Sequence, residues 1–378
     1  MNGDHAFRIM TKPGRQTGNS QFLGAEIDDL TLPSWCDAKL MRSVFWPVKV
    51  MLTTLAEAWD DANLNDVDPK RIGLIIGGTN FQQRDLTLLQ KRHWDKPEFV
   101  KPAYGLQFMD TDAVGACTQQ FPIRGMAYTA GAASASGQTA VILAAQAVRS
   151  GSVDVCIAVG APMDLSHWEC QGFRALGAMG SDRFAAEPNL ASRPFDAARD
   201  GFIYGEACAA IVVEASSLRT FQKRYARILG WAVNYDGNRN PNSTVEGEIR
   251  AIRDALQAAG LAASEIEYVN THGSGSGLGD QNEVLALRQS GLEGAYLNAT
   301  KSLLGHGLSA AGAVEIAVTA LQFEGGFLHV CRNLVDPIDR SLRWVTQDTK
   351  SNRVETAMSL SFGFGGINSA ICLRNTTH

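Results

Sequence analysis

Short apolar runs closed by glycine alternate with longer helical patterns along most of this 378-residue chain. Ile72-Gly73-Leu74-Ile75-Ile76-Gly77-Gly78 has the length of one strand and is apolar throughout, as a strand covered on both faces must be. Val153-Asp154-Val155-Cys156-Ile157-Ala158-Val159-Gly160 reads the same way. Between them, Gln138 to Arg149 has helical length and an alanine-rich, helix-forming composition. Ala209 to Glu214, Ile266 to Val269 and Met358 to Phe362 add strands; Val284 to Gln289 and Ala310 to Phe323 add helices. This interleaving predicts an α/β architecture with largely buried sheets. No proline- or serine-rich linker divides the chain, so any two halves must pack intimately, and the letters contain no convincing direct repeat.

With 45% hydrophobic and 19% charged residues, the chain can bury a large core. A net charge of -5 and a pI near 5.8 argue against nucleic acid or an anionic membrane as partner. No apolar run reaches the length of a membrane span; Ala140 to Val148 is cut off by Arg149. Met1-Asn2-Gly3-Asp4-His5 lacks the basic-then-apolar order of a secretory signal, which favours the cytoplasm. The 7 cysteines form no CxxC pair and several sit in apolar runs, so reduced core thiols are expected and a metal site is not.

Four segments carry chemistry. Thr129-Ala130-Gly131-Ala132-Ala133-Ser134-Ala135-Ser136-Gly137 leads into a helix, whose N-terminus favours developing negative charge. A nucleophile is often mounted this way. The GxSxG elbow is absent, however, and from this segment alone a serine capping the helix is the plainer reading. Asn270-Thr271-His272-Gly273-Ser274-Gly275-Ser276-Gly277-Leu278-Gly279-Asp280, with Glu283 beyond, sets a histidine just after an apolar strand. The alternating hydroxyls and glycines behind it let backbone approach a ligand. Lys301-Ser302-Leu303-Leu304-Gly305-His306-Gly307-Leu308-Ser309-Ala310-Ala311-Gly312 places His306 at a glycine-flanked helix start, with Lys301 close by in sequence. Most lysines are solvated surface charges, and this one alone would be read so. Ser361-Phe362-Gly363-Phe364-Gly365-Gly366-Ile367-Asn368 is a glycine-rich turn between apolar stretches, without the spacing of a phosphate-binding loop.

In order and spacing, these segments together with Ser192-Arg193-Pro194-Phe195-Asp196-Ala197-Ala198-Arg199-Asp200-Gly201-Phe202 resemble the ketosynthase (β-ketoacyl-ACP synthase) family of the thiolase superfamily. The THGxGxxxGD, KSxxGHxxxAAG and SFGFGG strings are specific in combination. The resemblance implies a thiolase fold: two pseudo-duplicated βαβαβαββ-like halves in a five-layered α-β-α-β-α core, usually a homodimer. The halves are expected at 1–214, carrying Ser134, and 215–378, carrying His272, Lys301 and His306. It also implies that the family's catalytic cysteine falls on Ser134 and that His272 and His306 are the paired active-site histidines. Lys301 and Glu283 would be their supporting ion pair. Ser274 and Ser276 would replace threonines that hold the phosphopantetheine arm, and Phe364 would be the gating aromatic. No protein-bound cofactor is implied, since the substrate rides on the arm of an acyl carrier protein. The family's opening strand and glycine-rich turn are not found here. A central strand is therefore expected to be missing, and Met1 to be a truncated or mis-assigned start; a fold without that strand would expose a sheet edge.

A serine at the nucleophile's place divides the family's reaction. Acyl loading needs a thiolate, which a helix N-terminus can supply; a serine hydroxyl needs a general base, and no neighbour in sequence offers one. Decarboxylation of a malonyl thioester needs only hydrogen-bond donors aimed at the thioester oxygen. The expected activity is thus malonyl-ACP decarboxylation to acetyl-ACP, resembling the Cys-to-Ser ketosynthase homologues of polyketide β-branching cassettes. Asp4 to Gln16 resembles that subgroup too, more weakly. The alternatives are a non-catalytic ketosynthase-like partner subunit and a serine-dependent acyltransferase or synthase. Lys91-Arg92 and Arg219, Lys223, Arg224 and Arg227 are the basic clusters visible for carrier-protein docking, although ordinary solvated helix faces would look the same.

Overall fold

In the computed structural model, which describes residues 6–218, 224–346, 350–351 and 353–376, two sheets organise the chain. In chain order the elements that build the layers begin with α1 (Trp46–Asp61), β1 (Ile72–Gly77), α2 (Thr111–Gln120), β2 (Ala127–Ala130), α3 (Ser136–Arg149), β3 (Val155–Gly160) and β4 (Ala209–Glu214). They continue with β5 (Ala226–Tyr235), α4 (Val245–Ala259), β6 (Tyr268–Asn270), α5 (Gly277–Gln289), β7 (Tyr296–Asn298), α6 (Ala311–Gly325), β8 (Thr356–Gly363) and β9 (Ile367–Asn375).

The first sheet has the order β2-β1-β3-β4; β1 runs parallel to β2 and β3, and β4 is antiparallel to β3. The second has the order β7-β6-β8-β9-β5, with β6 parallel to β7 and β8, and β9 antiparallel to β8 and β5. In chain order β1, β2, β3 and β4 therefore take the places of β6, β7, β8 and β9. The duplication is in the topology, where a search for repeated letters does not reach it. No described strand in the first sheet matches β5. That position is an edge beside β4, not the central place the sequence reading assigned to the missing strand. Ala210 to Glu214 on β4 are accordingly half-exposed.

Period-two alternation separates the layers. Ile72, Leu74 and Ile76 of β1 and Val155, Ile157 and Val159 of β3 pack with α1 and α2 on the outer side. Ile75, Cys156 and Ala158 face the opposite way, into a core shared with Val141 and Ala144 of α3, Ile316 and Phe323 of α6, and Ala357 and Ile371 of the second sheet. Met358, Leu360, Ala370 and Cys372 then turn outward onto Ile252 and Ala255 of α4 and Leu287 of α5. The result is helices, sheet, α3 with α6, sheet, helices. This is the five-layered thiolase arrangement. A short sheet of Phe7–Ile9, Leu23–Ala25 and Tyr204–Gly205 lies apart from it, and Tyr204 bridges on to His306.

Candidate active site

Ser134 lies in the tight turn Ala133–Ala135 that feeds α3. Ala133 adopts φ 48°, a left-handed conformation that a non-glycine residue rarely takes and that stores strain. Gly77 at the end of β1 is needed here: a Cβ atom would sit 2.3 Å from the Ser136 carbonyl oxygen. The turn is tied by Ser136, whose hydroxyl accepts from the Ala132 amide at 2.8 Å and donates to the Ala133 carbonyl at 2.7 Å. Ser134 caps nothing. Among the described residues its hydroxyl makes no hydrogen bond, so no base is hydrogen-bonded to it.

His306 follows Gly305 and is clamped by backbone, its amide donating to Ile203 at 2.7 Å and its carbonyl accepting from Gly205 at 3.1 Å. Its Nδ1 accepts from the Leu308 amide at 3.1 Å, which leaves the proton on Nε2. His272 follows β6. Its amide donates to Glu283 Oε1 at 2.6 Å, and Gly273 donates to Glu283 Oε2 at 2.8 Å. The Lys301 ammonium donates to His272 Nδ1 at 3.3 Å and, at shorter range, to the His272 carbonyl and to Glu315. Three protons meet three acceptors. His272 is thereby also held as the Nε2–H tautomer.

Burial first, then Lys301 and His306, push the His272 imidazole well below its usual pKa; burial and Lys301 do the same to His306. Both rings are neutral donors. Burial lifts Glu315 to about 7 against the pull of Lys301, and lifts Glu283 to about 8 against its two amide donors. The ion pair assigned from sequence is thus corrected. Lys301 pairs with Glu315 on α6, while Glu283 on α5 braces the His272–Gly273 backbone. The geometric reason is that Glu283 spends both oxygens on amides.

Ser134, His272, His306, Ser274, Ser276 and Phe364 line one cavity of about 230 Å³. The two imidazole rings stand 5.6 Å apart, edge to face. Ser274 donates to Ser276 Oγ at 3.1 Å along the cavity wall. Phe364, in the turn between β8 and β9, packs on Phe173 at 5.9 Å; Phe173 meets Phe202 at 5.6 Å, and Phe202 meets His306 at 5.2 Å. Phe202 and Leu278, from the strings quoted above, also line it, as do Asn242 and Ser243, which the sequence did not single out. Lys301 and Glu283 sit behind the histidines rather than in the cavity. Among the described residues no cluster of metal-ligating side chains occurs, and no helix is long and apolar enough to cross a membrane. Lys91 and Arg92 are exposed, as are Arg224 and Arg227, whereas Asp4, His5, Arg219 and Lys223 lie outside the described residues.

Paired topological halves, with a helix start from one lining the same cavity as two histidines from the other, form the site that the thiolase-fold resemblance implies. Residues 47–218 match the Beta-ketoacyl synthase N-terminal domain and residues 225–335 the C-terminal domain, and the chain belongs to this family. It is 52% identical to the polyketide biosynthesis malonyl-ACP decarboxylase PksF of Bacillus subtilis, over 99% of this chain and 91% of that protein. It is 30% identical to the chloroplastic 3-oxoacyl-[acyl-carrier-protein] synthase I of Arabidopsis thaliana, over 92% of this chain and 76% of that one. A beta-ketoacyl synthase from Burkholderia phymatum has the same fold at TM-score 0.90 and 26% identity, covering 99% of this chain and 93% of its own. A ketosynthase solved in complex with its type II PKS acyl-carrier protein aligns at TM-score 0.77 and 26% identity, over 87% of this chain and 84% of its own.

Proposed function

We propose that this chain is a malonyl-ACP decarboxylase of polyketide biosynthesis that releases acetyl-ACP without forming an acyl-enzyme. One observation carries the reading: two neutral histidines, each fixed as an Nε2–H donor, share a cavity with a serine to which, among the described residues, no base is hydrogen-bonded. As carbon dioxide leaves, negative charge moves onto the thioester oxygen, where the two Nε2–H groups receive it. A preorganised donor of this kind is worth about 2.7–4 kcal/mol. The similarity to PksF supports the substrate and the reaction.

The finer assignment is to a polyketide β-branching cassette, where acetyl-ACP feeds an HMG-CoA-synthase-like aldol addition onto a β-keto polyketide. Ser274 and Ser276 would hold the phosphopantetheine arm, and Phe364 would gate the cavity. The open edge of β2 and the exposed Trp94, Phe99, Leu106 and Phe108 support a homodimer. Free cysteines at all seven positions favour a reducing, cytoplasmic setting. Incubation with malonyl-ACP should yield acetyl-ACP by intact mass; a carrier that stays malonylated would overturn the reading.

Ser134→Cys probes the same turn. The start of α3 should acidify the new thiol, so the variant is expected to accumulate a covalent acyl adduct from acyl-ACP while the parent does not. Intact-protein mass detects the adduct and peptide mapping places it. A Cys at 134 inert to small thiol reagents would contradict the assignment of this turn as the condensing position.

A further inference from the structure

Decarboxylation without condensation leaves one requirement unmet: the enolate carbon must receive a proton. The histidine Nε2–H groups are committed to the thioester oxygen, so neither is aimed at the carbon. Among the described residues Ser134 has no hydrogen-bonded group from which to regain a proton it gave away. The three protons of Lys301 are all spent, on His272 Nδ1, the His272 carbonyl and Glu315.

Another wall of the cavity offers a donor. Ser243 lines it, 8% exposed, and its hydroxyl shares a short hydrogen bond with Oε1 of Glu248, which is fully buried in the first turn of α4; to an ionised Glu248 the hydroxyl donates, whereas a protonated Oε1 donates to Ser243 Oγ and frees the Ser243 proton for the cavity. Among the described residues Glu248 Oε2 has no partner. An ionised carboxylate with one bare buried oxygen is costly, so this group is held neutral. Burial and the neighbouring Glu283, Asp236 and Asp280, opposed only by the Ser243 hydroxyl, raise its pKa well above the usual range. Ser243 is also held firmly: Asn282 donates to its carbonyl at 2.7 Å, and Thr244 anchors the next residue to Asp236 at 2.9 Å.

We propose that Glu248, acting through the Ser243 hydroxyl, delivers the proton that converts the enolate to the acetyl thioester. The proposal rests on the decarboxylase reading. The bond from the α-carbon to the carboxylate breaks, its electron pair stays as the enolate, and carbon dioxide departs. The Ser243 O–H bond then breaks as a C–H bond forms at the α-carbon, and the Glu248 proton moves to Ser243 Oγ. Glu248 is left as carboxylate and is reprotonated from water through Ser243, which also faces the open groove between Asn240 and Glu246.

Glu248→Gln keeps the volume and a hydrogen bond to Ser243 but carries no transferable acid proton; Ser243→Ala removes the relay from the other end. Glu248→Gln is expected to keep the parental melting temperature and Ser243→Ala to lower it, since the latter strips Glu248 of the hydroxyl it is bonded to; both should lower kcat for malonyl-ACP by about a hundredfold, the low end for a general acid, with KM unchanged. The second readout is the deuterium content of the acetyl product formed in an equal mixture of light and heavy water. It should shift in both variants, because a water molecule replaces the relay as donor. A loss of rate with parental deuterium content would mean a merely structural role, and parental rate with parental content would mean another donor; either overturns the proposal. His272→Ala run alongside separates the two readings. If it is inactive while Glu248→Gln is parental, only the relay fails; if all variants remain active, the decarboxylase site itself is wrong.

Discussion

His272→Ala and His306→Ala are each expected to slow malonyl-ACP decarboxylation by at least about a hundredfold, the usual cost of one oxyanion donor. The double variant should lose little more than either single one, because donors serving one oxygen act as a unit. Stopped-time mass analysis of the carrier protein gives both rates. The effect should fall on kcat, since the ground-state thioester gains far less from these donors than the charged enolate does. Both imidazoles are depressed well below their usual pKa by burial and Lys301. The pH–rate profile should therefore show no histidine titration near 6.5, where an unperturbed ring would protonate. Either variant working at the parental rate would contradict the oxyanion role.

Lys301→Met should cost both stability and rate, for separable reasons. The substitution leaves Glu315 buried with no cation, a class of change worth about 3–5 kcal/mol. The loss should lie toward the low end, because burial already holds Glu315 at about 7 and it can take up a proton. It also frees His272, whose Nδ1 and carbonyl both depend on the ammonium. A ring no longer held in the donor tautomer weakens an oxyanion donor worth about 2.7–4 kcal/mol, so turnover should slow at least about tenfold. Adding Glu315→Leu to Lys301→Met should recover most of the denaturation midpoint and none of the rate. Recovery of the rate as well would mean that Lys301 serves only to neutralise Glu315.

Local strings were enough to place six residues on one cavity, because each string marks a strand end or a helix start. Ser134 precedes α3, His272 and the two serines follow β6, His306 precedes α6, and Phe364 turns between β8 and β9. Partnerships across layers were not legible. Glu315 meets Lys301 only because α6 packs beneath the site, although it is the one charge between Ala311 and Phe323. An isolated charge in an apolar helix was the available signal. Glu248 gave none, since it stands between Glu246 and Arg250 like any solvated acid in a first turn. The strand read at Ile266 to Val269 lies instead at Tyr268–Asn270, because the Ile266 amide closes the preceding turn onto Ala263. The repeated topology was hidden for a similar reason. β1 spans six residues and β6 three, so the same place in two sheets is written in different lengths.

The central claim is that the carbon–carbon bond breaks without any covalent bond to the protein. Ser134→Ala tests it most directly, with intact-mass measurement of both carrier and enzyme during turnover of malonyl-ACP. Because among the described residues the Ser134 hydroxyl makes no hydrogen bond to a base, the variant should convert malonyl-ACP to acetyl-ACP at a substantial fraction of the parental rate, with no acyl mass on either enzyme. Abolished turnover in Ser134→Ala, or an acylated parent enzyme, would contradict the account and place the reaction on the serine.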